Sequence, residues 1–291
     1  MKPGFLIFLF ILFLATSYSQ KELNIQILTT GTNTSLRGMS VPTETVVWVS
    51  GSNGTVGKST DGGKTWRWLI VTGYEKRDFR DIEAFDSSTA IIMAVDNPAY
   101  LLKTVDGGTT WKKVFEKNTN GMFLDAMDFK NDKEGICIGD PLPIGRDGPR
   151  FFYVIRTYDG GNSWLEIPTE QLAPAANGEA IFAASGTNIS FLKHPDFDYA
   201  FVTGGMVSNL IMIGRNNKPN KVVYIPVVQK KESAGTFSMA VIGQKKIYCI
   251  GGDYKIPAND LDNFSFTLTN GNKWKAPLRS GPTGYRSCIS I

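Results

Sequence analysis

Histidine is almost missing from this chain: His194 is the single one, beside Pro195, and reads as an exposed loop residue. Cysteine is scarce too, at three residues, Cys137, Cys249 and Cys288. An odd count cannot complete a disulfide set, and neither paired cysteines nor paired histidines occur at metal-binding spacing. Cys137 in "GICIG" and Cys249 in "IYCIGG" sit inside apolar runs and read as small buried hydrophobes. Long helical periodicity is lacking, and no Gly-x-Gly-x-x-Gly follows a strand and opens a helix, so nicotinamide or flavin redox chemistry is not indicated. No metal and no cofactor are expected. An excess of one charge is lacking as well: 31 basic residues stand against 27 acidic ones, without a basic stripe, which argues against nucleic acid as a partner. Beyond the N-terminus no apolar run is long enough to cross a membrane.

The N-terminus itself is different. "MKPGFLIFLFILFLATSYSQ" has a lysine, an apolar run from Phe5 to Ala15, and small residues Ser17 and Ser19 at the places a signal peptidase reads. The run is short for a retained anchor, so residues 1–19 are expected to be a signal peptide and 20–291 the mature domain. The protein is then secreted or periplasmic.

What is abundant is a pattern. "STDGGKTW" (Ser59 to Trp66) recurs as "KTVDGGTTW" (Lys103 to Trp111) and "RTYDGGNSW" (Arg156 to Trp164), with a worn copy, "TLTNGNKW", from Thr267 to Trp274. The first three tryptophans are about 50 residues apart, and the last interval is twice as long, as though one copy were silent. Around each copy lie four short runs rich in β-branched and aromatic residues, bounded by Gly, Asn and Asp. The first unit reads "SLRGMSV", "TVVWVSGS", "TVGKSTDGG", "KTWRWLIV". The fourth is expected to open with "AIFAASGT", and a sixth to begin at "GYRSCISI". Four strands per unit at this period is the pattern of an all-β propeller, with five full four-stranded blades and the start of another.

The "DGG" stretch is expected to join the third and fourth strands of each unit. Its aspartate can accept hydrogen bonds from the turn's own amides, and its glycines permit positive φ. A role repeated in every unit is structural: Asp61, Gly63 and Trp66, Asp106, Gly108 and Trp111, and Asp159, Gly161 and Trp164 are expected to hold blades, with each tryptophan packed over its turn.

These copies resemble the Asp box, S-x-D-x-G-x-T-W, of sialidases and other propellers. Beyond them, "SLRGMS", "DFRDIEAFD", "FLDAMDF", "GEAIFAASGT", "FVTGG", "IGGDY" and "GYRSC" run in order along the chain. Together they resemble the secreted Asp-box proteins related to the photosystem II stability and assembly factor, whose bacterial relatives carry labels such as oxidoreductase or glycosyl hydrolase. The resemblance implies a seven-bladed propeller that binds a protein partner without catalysis. With five to six blades, this chain departs from that count, as a C-terminally incomplete or smaller ring would.

In a propeller the first strand of each blade lines the axis. Aligning those strands puts Arg37, Arg80 and Arg286 at one position, and Gly38, Asp81, Asp125, Phe182, Ser238 and Ser287 at the next. Three arginines with Asp81 and Asp125 at a tunnel mouth suit an anion or an acidic side chain, a protein partner or an acidic carbohydrate. Asp96, Asp140 and Asp253 end second strands and read as turn caps. A sialidase-like glycoside hydrolase is the alternative, but Phe79-Arg80-Asp81-Ile82 only partly echoes the F/Y-R-I-P motif of those enzymes, and no nucleophile pair is placed. The expectation is a monomeric, non-catalytic binding propeller with no catalytic residue. Mass spectrometry of exported protein should find an N-terminus at Gln20; intact Met1 would overturn the signal-peptide reading.

Overall fold

The computed structural model describes residues 26–29, 32–216, 218–276 and 281–290. The expected signal peptide lies outside the described residues. The first blade is β1 (Leu36–Ser40), β2 (Val47–Gly51), β3 (Thr55–Ser59) and β4 (Arg67–Ile70). The second is β5 (Phe79–Ala84), β6 (Ala90–Ala94), β7 (Ala99–Thr104) and β8 (Lys112–Lys117). The third is β9 (Leu124–Phe129), β10 (Gly135–Pro143), β11 (Arg150–Thr157) and β12 (Leu165–Glu166). Then come β13 (Glu179–Ala180), β14 (Ile189–Phe191), β15 (Phe197–Val202), β16 (Gly204–Gly205), β17 (Asn209–Gly214) and β18 (Lys221–Tyr224). The chain continues through β19 (Ala234–Ile242), β20 (Lys246–Asp253), β21 (Phe264–Thr267) and β22 (Trp274–Lys275). Successive strands of a blade pair antiparallel, so each blade is a meander. The fold is an all-β propeller, and the described residues form five blade sheets. No helix among the described residues is long and apolar enough to cross a membrane.

Two expected boundaries move. The fourth blade is β14-β15-β17-β18, so its first strand is Ile189–Phe191 and not "AIFAASGT". The start of that stretch forms β13, which pairs with β16 and so joins the fifth sheet. The segment "GYRSCIS" forms no strand; it runs along the fifth blade, with Arg286 N–H donating to Gly251 O at 2.9 Å and Ile289 N–H to Ser238 Oγ at 2.9 Å.

Burial explains why the central strands are apolar throughout. A blade is covered on both faces, so alternation gives way to continuous hydrophobic runs; all five residues of β6, "AIIMA", are buried. Outer strands keep one wet side, as in "KKVFEK" of β8. One apolar core lies between each pair of successive blades. Trp48 and Val56 meet Phe79, Ile82 and Ile92; Ile91, Met93 and Leu101 meet Leu124, Met127 and Cys137. Ile136 and Val154 meet Ile189 and Phe201; Leu210 and Met212 meet Met239 and Cys249. Each fully buried Ile or Leu contributes about 1.5–3 kcal/mol.

The Asp-Gly-Gly turns tie into these cores. In the third blade, Thr157 Oγ1 donates to Asp159 Oδ1 at 2.8 Å and accepts Gly161 N–H at 2.8 Å. Asp159 accepts Ser163 N–H at 3.0 Å and Ser163 Oγ–H at 2.6 Å. The second copy repeats this network at Thr104, Asp106, Gly108 and Thr110, and the first at Ser59, Asp61, Gly63 and Thr65. In the worn copy Thr269 Oγ1 takes the aspartate's place, accepting Lys273 N–H at 3.0 Å.

Trp111 and Trp164 do more than cover their own turns: they reach the preceding blade. Trp111 meets Trp48 edge-on at 6.4 Å, and Trp164 joins the core that holds Ile91. Gly161, at φ +77°, lies against Cδ1 of Ile91, where a Cβ would collide with it. Gly161→Ala should therefore destabilise the fold by about 1–3 kcal/mol from backbone strain, plus the collision. In an Ile91→Val background, which removes that carbon, the loss should shrink. Chemical denaturation of the four variants checks this; an equal loss in both backgrounds would place the effect in the backbone alone.

Candidate functional site

Four of the five inner strands share one irregularity, and β14 pairs regularly. In β1 the pairing with β2 slips between Leu36 and Gly38, and in β5 the pairing with β6 slips between Phe79 and Asp81. In β9 it slips between Leu124 and Ala126, and in β19 between Thr236 and Ser238. The extra, unpaired residue is Arg37, Arg80, Asp125 or Phe237. A bulge re-aims the side chain it carries. The register therefore corrects the sequence alignment: Asp125 stands at the arginine position, and Ala126 is the counterpart of Asp81. Arg286, in an irregular segment, is not on an axial strand.

Asp81 is a staple between blades. It is 4% exposed; its Oδ1 accepts Ile82 N–H at 2.9 Å and its Oδ2 accepts Met127 N–H of the third blade at 2.8 Å. Ser40 Oγ likewise accepts Ala84 N–H at 3.0 Å, and Asp128 Oδ2 accepts Phe191 N–H at 2.6 Å. Asp125 is fully buried; the amides of Ala183 and Asp140 approach its carboxyl, but neither oxygen has a hydrogen bond of good geometry. Burial drives its carboxyl well above the usual range; Asp140 adds to the rise and Arg80 opposes it. Asp140 and Asp253 cap chain segments: Asp140 Oδ1 accepts Ile181 N–H at 3.0 Å, and Asp253 Oδ1 accepts Ser233 Oγ–H at 2.8 Å and Lys255 N–H at 3.0 Å. Asp96 is exposed.

The arginines are the accessible groups. Arg80 is half-buried; its Nε donates to Asp78 Oδ2 at 2.7 Å and its guanidinium lies over the Phe123 ring at 5.4 Å. Arg37 is exposed on β1, whose Gly38 abuts the backbone of Asp81 and Ile82, so it neighbours Arg80 across the first two blades. Arg286 is exposed, its guanidinium tied to Tyr285 O at 2.9 Å and Thr283 Oγ1 at 3.3 Å. Tyr285, next to Arg286 in the chain, packs on Phe237 at the bulge of the fifth inner strand, the place that Arg37 and Arg80 hold on the first two.

An aromatic group there was not singled out from the sequence. Phe182 and Phe237 stack at 3.9 Å, Tyr285 meets Phe237 edge-on at 4.8 Å, and Tyr254 packs beside both phenylalanines. Phe237 sits on the bulge, at the place of Arg37 and Arg80, and no signal in the sequence marks that position.

The opposite end of the inner strands holds a second feature. A cavity of 250 Å³ is lined by Glu83 and Asp128 with Met127, Met239 and Ile289. Burial raises Asp81 to about 7 and Asp128 to about 6, and raises Glu83 well above the usual range, with Asp81 and Asp128 adding to it. Among the described residues no group of three or more His, Cys, Asp or Glu is placed to hold a metal ion.

No protein-family model matches the chain, and no curated protein matches its sequence. Solved β-propeller structures resemble it. YCF48 bound to D1 peptide is 16% identical, with a TM-score of 0.44 over 84% of this chain and 82% of that one. YCF48 from Cyanidioschyzon merolae is 13% identical, with a TM-score of 0.44 over 89% and 90%. The GH74 enzyme of Niastella koreensis is 16% identical, with a TM-score of 0.42 over 83% of this chain and 42% of that one.

Two sets of carboxyls set opposite pH limits. Hydrogen bonds from the Thr65 and Thr110 hydroxyls and amides hold Asp61 and Asp106 at about 2, so the stability they contribute is present above the usual carboxylate range near pH 4 and lost as pH falls toward 2. Asp81, Glu83 and Asp128 are raised, so the stability linked to their protonated forms is lost as pH climbs from about 4 toward 7. Thermal melts should peak on the mildly acidic side. Glu83→Gln should flatten the decline toward neutrality and raise the melting temperature at pH 7; an unchanged profile would mean that Glu83 ionises freely.

Proposed function

We propose that the chain is a non-catalytic binding propeller whose axial mouth receives an acidic group of a partner protein. One observation carries this reading: at the mouth the arginines reach solvent while the acids of the inner strands are sealed, with Asp78, paired to Arg80 and part-exposed, as the exception. Arg37 and Arg286 are exposed and Arg80 is half-exposed, whereas Asp81 is occupied by two backbone amides and Asp125 is fully buried. Such a mouth offers charge-assisted hydrogen bonds to an incoming carboxylate, with aromatic surface from Tyr254 and Tyr285 beside them. It offers no exposed carboxyl pair for acid/base work on a glycoside. The export expectation belongs to the same proposal: residues 20–291 act as one domain outside the cytoplasm.

Binding is tested by pull-down with the mature chain on protein and glycan arrays, followed by titration of the captured acidic peptide. Arg80→Ala should weaken that binding by about 1.5–3 kcal/mol, and affinity should fall as salt rises. Turnover of a sialoside panel, abolished by Arg80→Ala, would put the protein among the hydrolases. Unchanged affinity in a folded Arg37→Ala, Arg80→Ala double variant would reduce the arginines to blade-to-blade staples.

A further inference from the structure

The silent repeat leaves a gap in a contact that the other blades make. Lys58 Nζ on β3 donates to Ser87 O at 3.0 Å and Gly107 O at 3.2 Å, both on the second blade. Lys103 Nζ on β7 donates to Gly160 O at 2.8 Å and Asn162 Oδ1 at 3.0 Å, in the turn of the third. Lys221 Nζ on β18 donates to Asn272 Oδ1 of the fifth at 2.8 Å. The first, second and fourth blades thus each clamp the turn of the next with a lysine.

Arg156 holds the position of Lys58 and Lys103 on the third blade, directly before the Ser/Thr of its motif. The fourth blade has no Asp-Gly-Gly turn; Arg215 to Asn220 join β17 to β18 instead. Where the turn would dock there is a cleft of 630 Å³, lined by Arg156, Leu165, Ile167, Asp198, Arg215 and Lys218 among others. That volume lies within the range of about 300–1,000 Å³ typical of ligand sites.

The charges in the cleft do not balance. Asp198 is shared by two guanidiniums, 3.6 Å from Arg156 Nη1 and 2.7 Å from Arg215 Nη2. The other charges are paired: Lys130 with Glu134, Lys117 with Glu166, and Lys218 with Asp196. One positive charge of the arginine pair is left over. The Nε–H groups of Arg156 and Arg215 are both buried without an acceptor. A buried donor left unmade costs about 1–3 kcal/mol, so this arginine pair is held at a cost by the fold around it.

We propose that this cleft binds an acidic turn of a partner polypeptide. The turn supplies from outside the carbonyl and side-chain amide oxygens that the other blades supply from their own chain, and its carboxylate meets the unbalanced arginine charge. The cleft spans both an arginine pair and an apolar wall of Leu165, Ile167 and Pro168, which suits a folded turn better than a bare anion. The site is separate from the axial mouth and stands without it.

The probe is a cyclic peptide of sequence Thr-Tyr-Asp-Gly-Gly-Asn-Ser-Trp, titrated calorimetrically into the full chain. It should bind saturably, and replacing its Asp by Asn should weaken binding. Arg215→Gln and Leu165→Glu, both at solvent-accessible positions, should each weaken it roughly tenfold or more, with circular dichroism unchanged. Arg80→Ala should leave it unaltered. No binding to the wild-type chain, or binding indifferent to both cleft substitutions, would overturn the proposal. So would binding of inorganic phosphate, sensitive to Arg215→Gln, without binding of the peptide.

Discussion

Each four-stranded sheet of this molecule must bury two faces at once, and the rest of the structure follows from that demand. A lone sheet with "VWVSG" or "AIIMA" at its centre would expose apolar residues on both sides. Packing against neighbours removes that surface from water and contributes the main favourable term. The devices that recur in the sequence are devices for holding one sheet against the next. The turn glycines bring backbone close to the previous blade, the tryptophans enter its core, and the lysines ahead of the turn grip the following one. The hydrogen bonds around each turn aspartate keep this three-way contact in one shape.

The axis is where that demand meets function. Inner strands carry buried polar residues, and those residues staple blade to blade. Asp81, Asp128 and Ser40 spend their oxygens on amides of the next blade. The bulge separates the two duties. It places one extra residue outside the ladder, and that residue is Arg37, Arg80, Asp125 or Phe237, while the next one turns inward. Arg80 can then project toward solvent from the same strand on which Asp81 is sealed.

Much of the fold was legible, and the reasons are local. Asp-Gly-Gly followed by a tryptophan marks a turn whose chemistry is contained within eight residues, and repetition at a fixed interval reveals the blades. What could not be read was register. A bulge shifts pairing by one residue without a compositional sign of its own, so the sequence aligns Asp125 with Asp81 although Asp125 occupies the arginine position. The fourth inner strand was misplaced for a related reason. "AIFAASGT" has the right composition for a strand, but its backbone is drawn to Gly204–Gly205 of the next sheet, and "ISF" takes the inner place. The axial mouth was only partly legible: Arg37 and Arg80 stand together, whereas the phenylalanine and tyrosine group depends on contacts between distant segments.

The first and last blades show how strict the interlock is. The first blade's turn has no blade before it in the described fold, and Gly63 instead meets Leu28 of the preceding segment. Its tryptophan cannot enter a neighbour's core, so Trp66 stacks on Trp68 of its own blade at 5.4 Å and donates Nε1–H to Gly63 O at 2.8 Å. Trp111, Trp164 and Trp274, which do enter a neighbour, bury the same nitrogen without a partner. Leaving that donor unmade has a cost, and it is met wherever a core is available to receive the ring. The apolar contact between blades therefore outweighs a hydrogen bond at three sites, and the hydrogen bond returns only where that contact is missing.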